Sequence, residues 1–511
     1  ALSTVLDEPS SAVASPALMG ATGVVPLTVV SVIPDIMQHY HDTIAAARSE
    51  VLLATNAWEK GKSVDLVTSG IRALEERCAN EGRTVTFKLL VDAASLRNAI
   101  SPRYYRTSSH WEEFGLPTEA EIPHIKLEVI NYHIPPLGTF HSKFMVVDRQ
   151  IALVNSNNVN IRSNVEMMCR FEGDIVNGLW DTFIISWSKP MAMLPCLHTP
   201  TTSKREFRFG AQNIVGGPTL EHGGPDAEGK SQATFAGAAK GQFDHVSEHS
   251  RTPTLQLVNE RLNVFKPAEA SSDLTDADVA DFAPFFFHDA HTPVPMALVN
   301  RRPYPVPGHS DLATPQNAAW LAAIALAKDH VFIQSPVFSA HPAVEAVLAA
   351  CRRGVHVTLY VDDGFNDFAE GVVPFQGGTN DAVRDEMYDE LKKTGHEQFL
   401  EYAWYTAKDQ SAPLGFDSNQ RNCHVKFLAV DGQVAVMGSG NMDTQSWYHS
   451  QEVNVMVDSP SLVAEWKEIF ARNQNTAKLG KTLLDGKLAS GKELPKKSGH
   501  GGLKRSEGGF L

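Results

Sequence analysis

The sequence predicts an α/β chain made of two similarly built halves. Three observations carry that expectation: helical and strand patterns alternate, the pattern recurs as an internal repeat, and the string H-x-K-x(4)-D occurs twice. At 511 residues the chain is long for one domain and natural for two.

Taken in order, residues 1–34 read as a flexible arm. Asp35 opens a helix running to Arg48, with Ile36, Met37, Tyr40, Ile44 and Ala47 at helical spacing. Residues 51–55 read as a buried strand. A second helix ends near Gly82, a strand follows at 85–91, and another at 126–130 leads into 140–147. These elements define a first domain at residues 35–200. Over 201–280 Gly, Pro, Ser, Thr and Ala dominate, as in Gly216-Gly-Pro218 and Gly223-Gly-Pro225, which marks a linker or inserted loop. Alternation resumes over 281–476, the second domain. The tail at 477–511 is rich in Gly, Lys and Ser. From Arg472 to Leu511 there are nine Lys/Arg against three Asp/Glu, so it reads as basic and disordered.

The repeat is visible in residues. Ile44 to Val51 resembles Ile324 to Val331, each a helix end feeding a strand. Cys78, Gly82 and the strand ending Val91-Asp92 match Cys351, Gly354 and the strand ending Val361-Asp362. Phe140-His-Ser-Lys143 matches Cys423-His-Val-Lys426, and the offset stays between 270 and 283 residues throughout. Duplication explains matches that keep one order.

Bulk composition narrows the partners. Net charge is −14 and the isoelectric point about 5.8, against a broad surface for duplex nucleic acid but compatible with a local anion pocket. Cys78, Cys169, Cys196, Cys351 and Cys423 are too few and scattered for a disulfide framework, and no C-x-x-C pair suggests zinc. With no Asn-x-Ser/Thr sequon, this points to an intracellular compartment, cytoplasmic or at a membrane periphery. The apolar stretch from Ala17 to Pro34 is too short and broken to span a bilayer, so no transmembrane segment is expected.

The chemistry sits in the two motifs. The first reads His141-Ser-Lys143-Phe-Met-Val-Val-Asp148, then after six residues Asn155-Ser156-Asn157-Asn158. The second reads His424-Val-Lys426-Phe-Leu-Ala-Val-Asp431, then after six residues Gly438-Ser439-Gly440-Asn441. His and Lys two apart on an extended chain face the same way, placing an imidazole beside an ammonium. That pair repels a metal cation and suits a phosphate. Ser156, Asn158, Ser439 and Asn441 return beside it as hydrogen-bond donors to phosphate oxygens. Asp148 and Asp431 each open a tight turn. They are carried as candidate catalytic groups, with a purely turn-forming role as the alternative. Two such halves give one histidine to attack phosphorus and another to protonate the leaving alcohol, then deprotonate the incoming water or alcohol. No metal or cofactor is required, and one chain holds both motifs, so a monomer suffices for a complete site.

Duplicated H-x-K-x(4)-D motifs, each followed by G/N-S-x-N, resemble the phospholipase D superfamily over roughly residues 35–475. The second half also resembles uncharacterised fungal members through His291-Thr-Pro-Val-Pro295 and Asn300-Arg-Arg-Pro303. The resemblance implies two α/β halves related by a pseudo-twofold, each a mixed sheet flanked by helices, with the site at their interface. It implies metal-independent chemistry through a phosphohistidine, with His141 the nucleophile, His424 the acid/base and Lys143 and Lys426 on the phosphate. It implies an acidic residue after each motif that orients the imidazole: Glu452, 11 residues after Asn441, and Glu166, eight residues after Asn158. Asn155 stands where the family has glycine, and it either crowds the phosphate pocket or sits on a permissive turn. The expected activity is on glycerophospholipid headgroups at a membrane surface, as phospholipase D or phosphatidyltransferase. The alternatives are a nucleic-acid phosphodiesterase and a catalytically silent phosphate- or lipid-binding protein.

Three smaller features have two readings each. Phe285-Phe-Phe287 is either a membrane wedge or, the favoured reading, a buried strand. Trp404, Tyr405, Trp447 and Tyr448 line a headgroup or acyl pocket or pack in the core. His39, His41, His288, His291, His309 and His341 read as structural.

Overall fold

A computed structural model describes residues 11–93, 96–187, 253–365, 377–415 and 421–492. The early strands are β1 (Gly20–Val32), β2 (Glu50–Thr55), β3 (Val85–Val91), β4 (Arg103–Arg106), β5 (Ile125–Ile134), β6 (Gly138–Thr139), β7 (Phe144–Val147), β8 (Ile151–Asn155) and β9 (Val165–Glu172). The later ones are β10 (Phe285–Phe287), β11 (Val294–Leu298), β12 (His330–Gln334), β13 (His356–Val361), β14 (Leu400–Trp404), β15 (Phe427–Val430), β16 (Val434–Gly438) and β17 (Asn454–Asp458).

Early strands pair in the order β4-β5-β3-β2-β7-β8-β9-β1. Later strands pair as β14-β13-β12-β15-β16-β17-β11. The order repeats, with β2, β3 and β5 parallel as are β12, β13 and β14, and the rest antiparallel. β1 pairs with β9 on one edge and with β10 and β11 on the other, which makes one large mixed sheet of the two sets. The strands are apolar runs such as Val51-Leu-Leu-Ala and Phe144-Met-Val-Val because both sheet faces are covered.

Helices α1 (Ile33–Ala45) and α2 (Lys62–Glu81) pack on the outer face of the early strands. Gly82 ends α2 at φ +63°, a conformation glycine adopts without a Cβ penalty. Helix α3 (Ile175–Trp187) contributes Leu179 and Phe183 to a core shared by both strand sets, together with Val258 and Leu262 of α4 (Leu255–Leu262). A short helix, α5 (Asp276–Val279), carries a capping box. Helices α6 (Pro315–Leu326), α7 (His341–Arg352) and α8 (Asn380–Lys392) cover the later strands. Helix α9 (Thr444–Tyr448) is a single turn, and α10 (Pro460–Asn473) brings Trp466 and Phe470 into the shared core.

Three expected boundaries change. Residues 20–32 are not a flexible arm but β1, where Val25 and Val29 are fully buried. Their Thr, Gly and Pro content masks a strand whose neighbours, β9, β10 and β11, lie in the middle of the chain; residues 1–10 lie outside the described residues. The stretch taken as a linker holds α4 and α5 between residues 253 and 280, while 201–252 lies outside the described residues. The tail is tied down as far as residue 492: Thr482 N–H donates to Tyr402 O at 2.9 Å, and Thr482 bridges Leu488. Residues 493–511 are outside the description. The Phe285-Phe-Phe287 run is strand β10, paired to β1. Trp404 and Trp447 are core residues, and Tyr405 is buried with its hydroxyl unpaired among the described residues.

Candidate active site

Each motif enters the site in extended chain beside the segment that precedes the other motif's glutamate. Gln451 N–H donates to Thr139 O at 2.8 Å, and His141 N–H to Gln451 O at 3.0 Å. Likewise Val165 N–H donates to Asn422 O and His424 N–H to Val165 O, both at 2.8 Å. This lacing decides which carboxylate meets which imidazole. Glu452 Oε1 lies 2.7 Å from His141 Nδ1, and both Glu166 oxygens lie 3.0 Å from His424 Nδ1. Glu166 and Glu452 therefore each meet the histidine of the other motif. The unequal spacings of eight and 11 residues lose their significance, because each glutamate serves the other motif's histidine.

A carboxylate on Nδ1 fixes the proton there and leaves the Nε2 lone pair for a ligand. Burial pushes both imidazoles below their ordinary pKa, His424 to about 4, with Lys426 and Lys143 adding repulsion and Glu166 opposing it. Both are neutral at pH 7 in the empty site, as attack on phosphorus demands of one of them. For each glutamate burial alone would raise the pKa. The facing histidine, a lysine and a serine outweigh it and hold Glu166 and Glu452 below the usual carboxylate range.

Lys143 and Lys426 are buried, and each Nζ donates to its own motif's histidine carbonyl at 2.5 Å. Burial lowers Lys143 to about 7 and Lys426 to about 8, although Glu452 and Glu166 pull the other way. Two desolvated ammoniums that repel each other are primed for an anion, which would restore their charge. Electrostatic coupling runs from His141 to Lys426, from His424 to Lys143 and between the lysines, so all four form one cluster.

Asp148 and Asp431 do not join it. Asp148 accepts from the amides of Arg48, Ser49 and Glu50 and from Ser49 Oγ, and Asp431 from those of Lys328, Asp329 and His330. Each begins a three-residue hairpin connection with positive φ at its first two positions, Asp148-Arg149 and Asp431-Gly432. The catalytic expectation for these aspartates is corrected to a structural one: each ties a turn to the chain entering β2 or β12. Ser156 and Ser439 also change role. Ser156 Oγ donates to Glu166 Oε2 and Ser439 Oγ to Glu452 Oε2, both at 2.5 Å, so they hold the glutamates. Asn158 Oδ1 accepts Ala57 N–H at 3.3 Å, while buried Asn441 Oδ1 has no hydrogen bond among the described residues.

Asn155 does not crowd the pocket. Its Oδ1 accepts from Tyr40 of α1 at 2.5 Å and its Nδ2 bonds Asn157. The second motif needs glycine at the matching place, because a Cβ on Gly438 would sit 2.2 Å from Val453 O.

Two positioning residues were missed as such. Asp92 Oδ2 accepts Phe140 N–H at 2.7 Å and Asp362 Oδ1 accepts Cys423 N–H at 3.0 Å, each fixing the residue before a motif histidine. Their signal was in the repeat, as the Val-Asp pair that ends β3 and β13. Arg301 and Ser446 beside Glu452 had no motif to announce them. Ser446 Oγ donates to Glu452 Oε1 at 2.8 Å, and Arg301 bonds Ser446 O at 2.9 Å.

Residues 320–473 match the family model described as cardiolipin synthase, PLD-like domain, which contains the whole second motif. That match makes residues 320–473 similar to the phospholipase D-like family. Among solved structures it is similar to phosphatidylserine synthase of Haemophilus influenzae Rd KW20, with 10% identity over 92% of this chain and 90% of that one and a TM-score of 0.49. It is also similar to Nuc, a phospholipase D family member from Salmonella typhimurium, with 19% identity, 36% of this chain, 95% of that one and a TM-score of 0.25. Polyphosphate kinase from Porphyromonas gingivalis gives 10% identity, 86% and 48% coverage and a TM-score of 0.40. No curated protein matches the chain by sequence. A phosphodiester-acting function of the phospholipase D type is what these phospholipase D features support. No helix among the described residues is long and apolar enough to cross a membrane.

Proposed function

We propose that the chain cleaves or exchanges the headgroup of a glycerophospholipid through a phosphohistidine on His141, with His424 as acid and base. The observation that carries this reading is the reciprocal pair of imidazoles, each held at Nδ1 by the other motif's glutamate and flanked by a buried lysine. In the first step His424 takes up a proton at Nε2 as the anionic phosphodiester binds, and gives it to the departing alcohol oxygen while His141 Nε2 attacks phosphorus. In the second, His424 takes a proton from water or an acceptor alcohol, which displaces His141. Lys143 and Lys426 hold the charge on the non-bridging oxygens throughout. Hydrolase and transferase share the first step and differ only in the acceptor. Asn155 is not a mark of decay, since its side chain serves Tyr40, and this counts against a silent binding protein.

The test is a phospholipid panel assayed with and without glycerol or ethanol, combined with acid-quench trapping of a labelled enzyme. Headgroup release, with a label that His141→Ala abolishes and His341→Ala retains, is the expected result. Turnover of DNA or RNA but of no phospholipid between about pH 5 and 8 would replace the lipid reading with the nucleic-acid one.

A further inference from the structure

Val361 and Trp404 pair at the ends of the parallel strands β13 and β14, so the next residues, Asp362 and Tyr405, emerge side by side. Tyr405 N–H donates to Val361 O at 2.7 Å. The Asp362–Cys423 hydrogen bond then lays the segment from Arg421 to His424 across these strand ends. Arg421 is fully buried, and its Nη1 bonds the equally buried Asp409. Asp409 also accepts Asn259 Nδ2 at 2.7 Å.

Four polar atoms in this cluster are left over. Arg421 Nε and Nη2, Tyr405 Oη and Asp362 Oδ2 are buried and have no hydrogen-bond partner among the described residues. Tyr405 lies within electrostatic reach of Arg421, Asp362 and Asp409. Asp362 in turn reaches Lys426 and Glu166, and the Phe365 ring stands 5.9 Å from His424. Several unanswered polar groups in one buried place are costly to the fold and call for an occupant.

The set has a definite chemistry. Arg421 has its charge matched by Asp409. Burial, with Asp363 adding repulsion and the Cys423 N–H and Lys426 opposing it, pushes the Asp362 carboxyl well above the usual range. What remains is rich in N–H and O–H donors, from Arg421 and Tyr405, and it suits a ligand that offers several oxygens. It does not suit a quaternary ammonium, which has neither acceptors nor an unmatched carboxylate to meet here. The matching place by His141 is closed. His133 occupies Asp92, Gly138 stands where the second motif has Arg421, and the Arg103 guanidinium lies 3.7 Å over the Tyr132 ring.

We propose that Arg421, Tyr405 and Asp362 form a headgroup subsite beside His424 that hydrogen-bonds the hydroxyls of a polyol on the alcohol side of the phosphodiester. The subsite rests on the lipid reading above and adds to it which end of the site holds the headgroup and what that headgroup presents.

The experiment measures calorimetric binding of the deacylated diesters glycerophosphoglycerol, glycerophosphoserine and glycerophosphocholine to the full-length His141→Ala protein. Glycerophosphoglycerol should bind about tenfold tighter than glycerophosphocholine, the worth of one or two hydrogen bonds. Adding Tyr405→Phe should bring the two within about twofold. Its thermal midpoint without ligand should be equal or higher, because the change deletes an unpaired buried hydroxyl. Equal affinities for these two diesters, no binding of either, or a preference that survives Tyr405→Phe overturns the subsite. Glycerophosphoserine as the tightest ligand overturns the polyol assignment. The expected ranking in a protein whose wild type turns over no phospholipid would uphold the subsite and sink the lipid reading alone.

Discussion

Beside His141, the Asp92 carboxylate takes both the Phe140 N–H and the His133 imidazole, whereas beside His424 the Asp362 carboxylate takes, among the described residues, only the Cys423 N–H. The glutamates differ in the same spirit. Glu452 is met by His141, Ser439 and Ser446 with Arg301 close by, and Glu166 by His424, Ser156 and Asn164. Asp92 is thus the more fully tied of the two carboxylates, which suits the nucleophilic role proposed for His141. Beside His424 the donors of Arg421 and Tyr405 have no partner among the described residues, which suits the proposed headgroup subsite. Duplicated scaffolds can divide labour this way because the shared lysines and histidines set the reaction and their neighbours set what enters.

The largest effect should separate the two histidines. His141→Ala should remove the phosphoenzyme and with it all measurable turnover. His424→Ala should cost about 10²–10⁴-fold in kcat on a lipid, since it loses proton transfer but not the nucleophile. On a p-nitrophenyl diester, whose leaving group needs no proton, His424→Ala should still show a burst of nitrophenolate and accumulate labelled enzyme. A burst in His141→Ala and none in His424→Ala would reverse the assignment.

Next come the glutamates. Glu452→Gln and Glu166→Gln each replace a charged hydrogen bond to imidazole, worth about 1.5–3 kcal/mol, or about 10- to 150-fold in rate. Because the pairing is exchanged, Glu452→Gln should slow formation of the phosphoenzyme and Glu166→Gln its breakdown. Single-turnover kinetics reads both. Finding each defect in the step of the histidine nearer in sequence would contradict the laced geometry.

Much of this was legible in the residues. Both histidines and lysines were found from spacing, and the repeat located β2, β3, β12 and β13 before any fold was seen. The exchange of Glu166 and Glu452 was not, because it depends on two extended segments pairing across more than 250 residues, which no local pattern records. Strand β1 was missed for the same reason: its partners β9, β10 and β11 are distant, and its own composition is weak. Asp148 and Asp431 misled because the motif's spelling includes them while their carboxylates face the backbone.

A smaller effect is on pH. In the empty enzyme Lys143 and Lys426 lose their protons near pH 7 and 8, so phosphate affinity and kcat/KM should fall as pH rises through that window. Stability moves the other way. Between pH 4 and 6.5 an unfolded histidine binds a proton that buried His424 refuses, so the folded protein loses stability as pH falls through that range. Above pH 7 the unfolded lysines hold protons that buried Lys143 has shed, so the lysines make the empty protein more stable with rising pH. A saturating phosphate analogue should flatten the alkaline limb by keeping both ammoniums charged. Denaturation midpoints across pH with and without inorganic phosphate measure all three slopes, and a kcat/KM that rises from pH 7 to 9 would contradict the role of the lysines.

The least effect on chemistry belongs to the turn aspartates, where the two regions again differ. Asp148→Ala and Asp431→Ala should each leave kcat within about threefold and cost about 1–2 kcal/mol of stability through released backbone amides. The turns themselves are unequal. Asp431 is followed by Gly432, which takes φ +65° freely, while Asp148 is followed by Arg149 at φ +57°. Arg149→Gly should gain about 1 kcal/mol from the relaxed backbone and lose about 0.5–1 kcal/mol from the guanidinium that lies 3.7 Å over Trp180, a near balance. Arg149→Lys should fall below both, since it keeps the strained φ and loses the flat stacking face. A large drop in kcat for either aspartate with the melting temperature unchanged would return these residues to the catalytic machinery.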